Sequence, residues 1–268
     1  MSRETESVPP AEDFDTFAVK PMDGRPSAVW RTHSDGTSHA PVAADDRPAL
    51  QRIDLQLPIL DKNDRLAARN RAFFRSRGIA ALNLVSSPGS GKTALLERTL
   101  DELGRTAKCA VVVGDLETDN DAQRLRRSHA PVAQITTGTA CHLDAEMVAR
   151  GVEALDLEGV RILFIENVGN LVCPASFDLG EAVRVVLLST TEGEDKPLKY
   201  PPIFKSAHVV LMTKIDVAEV LGFDRAAAAR NIRAIAPQAR LIELSARTGE
   251  GMGAWYEFLR SQTGGAPR

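Results

Sequence analysis

Ser86-Ser87-Pro88-Gly89-Ser90-Gly91-Lys92-Thr93 decides how this chain folds. The apolar run 79–85 precedes it and reads as a buried parallel strand, while Ala94, Leu95, Leu96 and Leu100 follow at helical spacing. Strand, glycine-rich turn and helix in that order are the setting of a phosphate-binding loop. Gly89 and Gly91 carry no Cβ, so the backbone from Pro88 through Ser90 to Ala94 can wrap an anion and turn several N–H groups toward it. The helix adds its positive N-terminal end. Lys92 can reach the β- and γ-phosphates of a nucleoside triphosphate, and the Thr93 hydroxyl is placed to ligate Mg²⁺. Ser86 stands where the general pattern has glycine.

Outward from this loop, strands alternate with helices. Apolar runs predict strands over 109–113, 132–136, 161–165, 183–189, 209–212 and 241–244. Helical spacing predicts helices over 143–155, 226–235 and 252–259, and one over 61–77 with Asp61 as its cap and Gly78 as its stop. The pattern is an α/β fold: a mostly parallel sheet with helices on both faces and ligands at the carboxyl ends of the strands. Residues 1–57 are rich in Pro, Ser, Thr, Asp and Ala, hold no sustained period, and read as a flexible tail. His33 and His39 lie there as incidental residues.

The 268 residues suffice for one large domain, here 58–264, and a hydrophobic content of 43% supports a real core. A net charge of −3 gives no electrostatic case for nucleic acid or a membrane surface as partner. No run approaches a membrane span and the first ten residues lack the features of a signal peptide, so a cytoplasmic location is expected. Three cysteines, Cys109, Cys141 and Cys173, point away from a disulfide framework and toward core packing or metal binding.

The strand over 109–113 runs into Gly114-Asp115, with Asp119 and Asp121 just beyond; the strand over 161–165 delivers Glu166, followed by Asn167-Val168-Gly169. Carboxylates at strand ends facing a phosphate loop can hold Mg²⁺, as Asp115 and Glu166 would beside Thr93, or orient an attacking water, as Asp115 or Asp121 would beside Lys92. Gly169 would let the backbone approach the γ-phosphate. Thr213-Lys214-Ile215-Asp216 matches a guanine-recognition pattern with Thr in place of the commoner Asn. Asp216 would accept from the guanine N1–H and 2-amino group, which adenine cannot match, and the Lys214 stem would pack along the base. Ser245-Ala246 would offer a backbone N–H to guanine O6. The nucleotide is therefore read as GTP. Cys141 and His142, at a helix start, offer soft sulfur and nitrogen donors, with Cys173 further on; the residues alone leave metal ligation and core packing equally open.

These blocks together resemble the HypB family of SIMIBI-class GTPases, which help insert nickel into [NiFe]-hydrogenase. The resemblance runs from about Leu66 to the C-terminus and rests on 86–93, 114–121, Cys141-His142-Leu143-Asp144-Ala145 and 166–175. It implies a P-loop GTPase domain that dimerises with nucleotide. It also implies a Ni²⁺ or Zn²⁺ site at the dimer interface from Cys141, His142 and Cys173 of both subunits, with a HypA-type nickel chaperone and the hydrogenase large subunit as partners. Cys109 matches no family ligand and is read as core. The cysteine-rich or histidine-rich nickel tails of some relatives have no counterpart here. A related urease or cobalamin-enzyme GTPase, and a metal carrier with a vestigial GTPase, are the rival readings.

Overall fold

The computed structural model describes residues 56–104, 106–115 and 120–263. Residues 1–55 of the expected tail, with His33 and His39, and the acidic Asp119 lie outside the described residues, while residues 56 and 57, expected in the tail, belong to the first helix.

Seven strands form one sheet: β1 (Ala80–Ser86), β2 (Cys109–Asp115), β3 (Val132–Thr136), β4 (Ile162–Glu166), β5 (Val183–Ser189), β6 (Val209–Thr213) and β7 (Arg240–Glu243). Their spatial order is β3-β2-β4-β1-β5-β6-β7, and every pairing is parallel. All carboxyl ends therefore fall on one edge. β1 lies in the middle, and the chain leaves it first toward β2 and later toward β5. That reversal opens the crevice in which open α/β sheets bind ligands.

The strands are apolar on both faces because helices cover both. Leu82 and Leu84 of β1 and Val111 and Val113 of β2 pack with Leu95, Leu96, Leu100 and Leu103 of α2 (Lys92–Leu103) and with Trp255 and Leu259 of α8 (Met252–Thr263). Cys109 belongs to this cluster, and burial pushes its thiol up to about 11. Trp255 is fully buried and donates its indole N–H to the Thr99 hydroxyl at 3.0 Å. On the opposite face, Ala81 and Val112 meet Phe74 of α1 (Gln56–Ser76) and Val148 and Val152 of α4 (Ala145–Glu153). There, too, Val85 and Val210 meet Ile203 and Phe204 of α6 (Pro201–Lys205) and Ile232 of α7 (Arg225–Ile235).

α1 corrects the expected start. It is already helical at Gln56, so Asp61 lies inside it, its carbonyl accepting from Arg65 Nε at 3.1 Å rather than its side chain capping a turn. Three short helices carried too little periodicity to be read: α3 (Asn120–Arg126), α5 (Lys196–Lys199) and α6, the last two with proline within their first two residues. The helix expected over 143–155 is shorter at both ends: Asp144 caps its start by accepting from the Met147 N–H at 2.7 Å, and Ala154 ends it.

Candidate functional site

The phosphate loop joins β1 to α2. Gly89 and Gly91 hold φ of 72° and 96°, the left-handed region that L side chains avoid, and this lets the loop curl over the α2 N-terminus. Lys92 is buried and donates to the Ser86 hydroxyl at 3.0 Å. The serine in the unusual position thus holds the lysine. Burial lowers the Lys92 pKa, with Glu166, Asp121, Glu192 and Asp115 acting against that shift.

Glu166, 3% exposed at the end of β4, accepts the Thr93 hydroxyl at 2.7 Å through Oε1. Its Oε2 is buried with no hydrogen-bond partner. Burial lifts this carboxyl to about 7, against the pull of Lys92 and the Thr93 bond. A buried carboxylate oxygen without a partner, beside a hydroxyl, is an incomplete oxygen shell of the kind a hard divalent cation fills. Asp115 and Asp121 line the same cavity of about 410 Å³ with Lys92, Thr93 and Gly169. Those residues fit Mg²⁺, with Thr93, Asp115 and Glu166 as the groups that can hold it. Gly169 sits so close to the loop that a Cβ there would come within 2.9 Å of Pro88 Cα, so its backbone touches the phosphate cradle.

Two residues of this region escaped the sequence reading. Glu192, in the turn after β5, accepts from the Ser87 and Ser90 hydroxyls at 2.6 and 2.8 Å and clamps the outside of the loop. Arg124 of α3 lines the phosphate cavity, pairs with Glu97 of α2, and lies 3.6 Å from Asp121. An acidic residue just after the strand beside β1 was the one signal available for Glu192; Arg124 had none.

A second cavity, about 260 Å³, opens against Ser90, Gly91 and Ala94 and is walled by Lys214, Asp216, Ser245 and Ala246. Lys214 takes φ of 59° and reaches the Gly89 carbonyl at 2.7 Å. The Thr213 hydroxyl donates to the Ser90 carbonyl at 2.8 Å, so threonine ties this loop to the phosphate loop. The Asp216 carboxylate is 9% exposed and accepts from Arg247 Nε at 2.9 Å. Ser245, more than Arg247, holds it below the usual carboxylate range, keeping it charged and able to accept from a base edge.

Cys141, His142 and Cys173 come together, their donor atoms all within 4.8 Å of one another. They are the one such group of this kind among the described residues. Cys141 and His142 stand just before Leu143 and the Asp144 cap of α4; Cys173 opens a 3-10 turn, Cys173–Ser176, after the β4 end. The Cys141 Sγ donates to Cys173 Sγ at 3.0 Å, and His142 Nδ1 lies 3.8 Å from Cys141 Sγ. The shared hydrogen bond, then burial, pushes the Cys173 thiol up. Burial pushes His142 down, toward the neutral imidazole that ligates metals. Its ring lies tilted against that of Phe177, with the ring centres 4.0 Å apart. Two thiolates on one tetrahedral ion stand about 3.8 Å apart, given metal–sulfur bonds of about 2.3 Å. Filling this site therefore requires loss of thiol protons and a small parting of the two sulfurs.

Fold and geometry together define a P-loop protein of the GTPase class. The family profile described as "CobW/HypB/UreG, nucleotide-binding domain" matches residues 80–243. The hydrogenase maturation factor HypB of Azotobacter vinelandii is 52% identical over 92% of this chain and 80% of its own length. HypB from Archaeoglobus fulgidus superposes with a TM-score of 0.72 at 40% identity, covering 76% of this chain and 99% of that one. The crystal structure of HypB from Helicobacter pylori in complex with nickel gives 0.71 at 41% identity, covering 75% and 95%. The chain belongs to the CobW/HypB/UreG nucleotide-binding family and, within it, to the HypB hydrogenase maturation factors. Among the described residues no helix is long and apolar enough to cross a membrane.

Proposed function

We propose that this protein is a GTP-hydrolysing metallochaperone that carries nickel, or zinc, on Cys141, His142 and Cys173 and assists nickel insertion into [NiFe]-hydrogenase. The observation that carries the reading is adjacency: Cys173 stands shortly after the strand end whose Glu166 holds the Thr93 hydroxyl. Guanine enters against Asp216, with Lys214 along its face and the Ser245–Ala246 backbone at O6. The phosphates settle on the loop from Pro88 to Ala94, and Lys92 leaves Ser86 to meet the β- and γ-oxygens. Asp115 and Asp121 face that point across the cavity and are the carboxylates available to orient the attacking water. Thr93, Asp115 and Glu166 would hold Mg²⁺, which would supply neutralisation of charge on the transferring phosphoryl group.

Three protein donors leave a tetrahedral ion one open position. A second copy of the chain, bringing its own Cys141, His142 and Cys173, would complete the shell; on this reading the metal-loaded form is a homodimer that assembles with nucleotide, and a HypA-type chaperone and the hydrogenase large subunit are donor and acceptor of cargo. The nickel complex of the Helicobacter pylori relative supports nickel as that cargo. The test is nickel titration with size determination, run with a GTP analogue, with GDP and without nucleotide. Nickel affinity and dimer fraction should both change between nucleotide states; equal values in all three would sink the reading.

A further inference from the structure

The thiol cluster and the phosphate cradle meet at one buried side chain. Asn167 directly follows Glu166 and is 1% exposed. Its Oδ1 accepts the backbone N–H of Leu143 at 3.1 Å and that of Val168 at 3.0 Å, while its Nδ2 donates to Asn83 Oδ1 at 3.3 Å. Leu143 directly follows His142. It is itself fully buried, its side chain filling the space where a Cβ on Gly114 would stand. A backbone amide one residue from His142 thus hangs on a side chain one residue from Glu166.

A second tie lies further along the same segment. Asn170 Nδ2 donates to the Cys141 carbonyl at 3.3 Å, and its Oδ1 accepts the Val172 N–H at 2.9 Å. The stretch leading to Cys173 is thereby bound to the loop that carries Cys141. A buried amide bonded at both ends cannot turn without stranding polar groups, so it moves as a rigid link with whatever holds it.

We infer that Asn167 is a positioning residue that transmits the state of the phosphate site to the Cys141–His142–Cys173 cluster, with its side-chain carbonyl as the joint and Asn170 as a secondary tie. The inference rests on the metallochaperone reading above. Any displacement of Glu166, whose Oε1 holds Thr93 and whose Oε2 has no partner, carries Asn167 and therefore Leu143 with it. Leu143 and the Asn170 bond then reset the spacing of the two sulfurs and the imidazole.

The experiment is nickel titration of the full chain with a GTP analogue and with GDP, followed also by thiolate-to-nickel charge-transfer absorption. In the wild type the two affinities should differ by about fivefold or more, and the absorption band should shift between nucleotide states. Asn167→Ala should bring the ratio to within about twofold and make the two spectra alike, while nickel affinity without nucleotide stays within about threefold of wild type. Asn170→Ala, at a partly exposed position, should lower the ratio by a smaller factor, and it decides the matter if Asn167→Ala fails to give a cooperative melt. Wild-type coupling that survives in the folded variants overturns the assignment to Asn167. Equal affinities in the wild type overturn the functional reading and this inference with it.

Discussion

In the phosphate cradle, each functional side chain stands at the end of a strand paired on both sides, or in the helix turn that follows one. In the Cys141–His142–Cys173 cluster, none does. Glu166 ends β4, between β1 and β2; Asp115 ends β2, between β3 and β4; Thr213 ends β6, between β5 and β7. The cluster hangs instead on side chains, chiefly Asn167 and Asn170. It is braced from α1 by Asn63, which accepts from the Ala145 N–H at 3.0 Å, and by Asn70, which donates to the Ala145 carbonyl at 2.8 Å. The difference is one of stiffness. Ladder bonds on two sides fix the nucleotide groups in advance, while a few side-chain bonds leave the sulfur donors free to change spacing.

That contrast can be broken at several points. The largest effect is expected at the base pocket: Asp216→Ala should lower the preference for GTP over ATP by about a thousandfold or more, because the guanine donors lose their acceptor. Competitive nucleotide binding reads this, and an unchanged preference would remove Asp216 from recognition. Lys92→Ala should reduce GTP turnover by about 10²–10³-fold, the scale of one electrostatic contact to the transferring group, while nucleotide-free nickel binding stays intact. If that variant also lost nickel in the absence of nucleotide, the two regions would not be separable.

Cys173→Ala should weaken nickel binding by about a hundredfold, at the upper end of what even outer partners of a metal contribute. It should leave GTP-analogue binding of the metal-free protein unchanged; chelator competition and nucleotide titration test the two halves. The smallest effect is a pH dependence. Burial raises the Glu166 pKa to about 7 from an ordinary 4.5, so the folded form holds a proton that the unfolded chain releases between those values. Stability of the nucleotide-free, Mg²⁺-free protein should therefore fall as pH rises from about 4.5 to about 7 and then level off, by about 1–2 kcal/mol after relaxation around Lys92. Glu166→Gln should flatten that part of the profile and be the more stable form at pH 8. Melts across pH that coincide for the two proteins would show that Oε2 is not the strained group it looks to be.

Much of the nucleotide side was legible because it is written locally. An apolar run names its own strand, and Lys92, Thr93, Glu166 and Asp216 each stand at the end of such a run or in the short turn after it. Asp61 misled because a capping residue type reads the same inside a helix as at its start. Arg124, Glu192 and Asn167 could not be picked out, since their partners lie 27, 102 and 105, and 24 residues away respectively.

The sequence by itself determined the alternation of strand and helix, the glycine-rich loop between β1 and α2, the acidic strand ends and the placing of Asp216 just past a strand. The reason is that backbone periodicity and side-chain chemistry act over a few residues. Only the tertiary structure decided that β4 lies beside β1, so that Glu166 meets Thr93. It alone brought Cys141 within 3.0 Å of Cys173 across 32 residues, and it alone placed Asn167 between the two sites. Strand order sets those distances, and strand order follows from burying both faces of the whole sheet at once, which no short stretch of chain encodes.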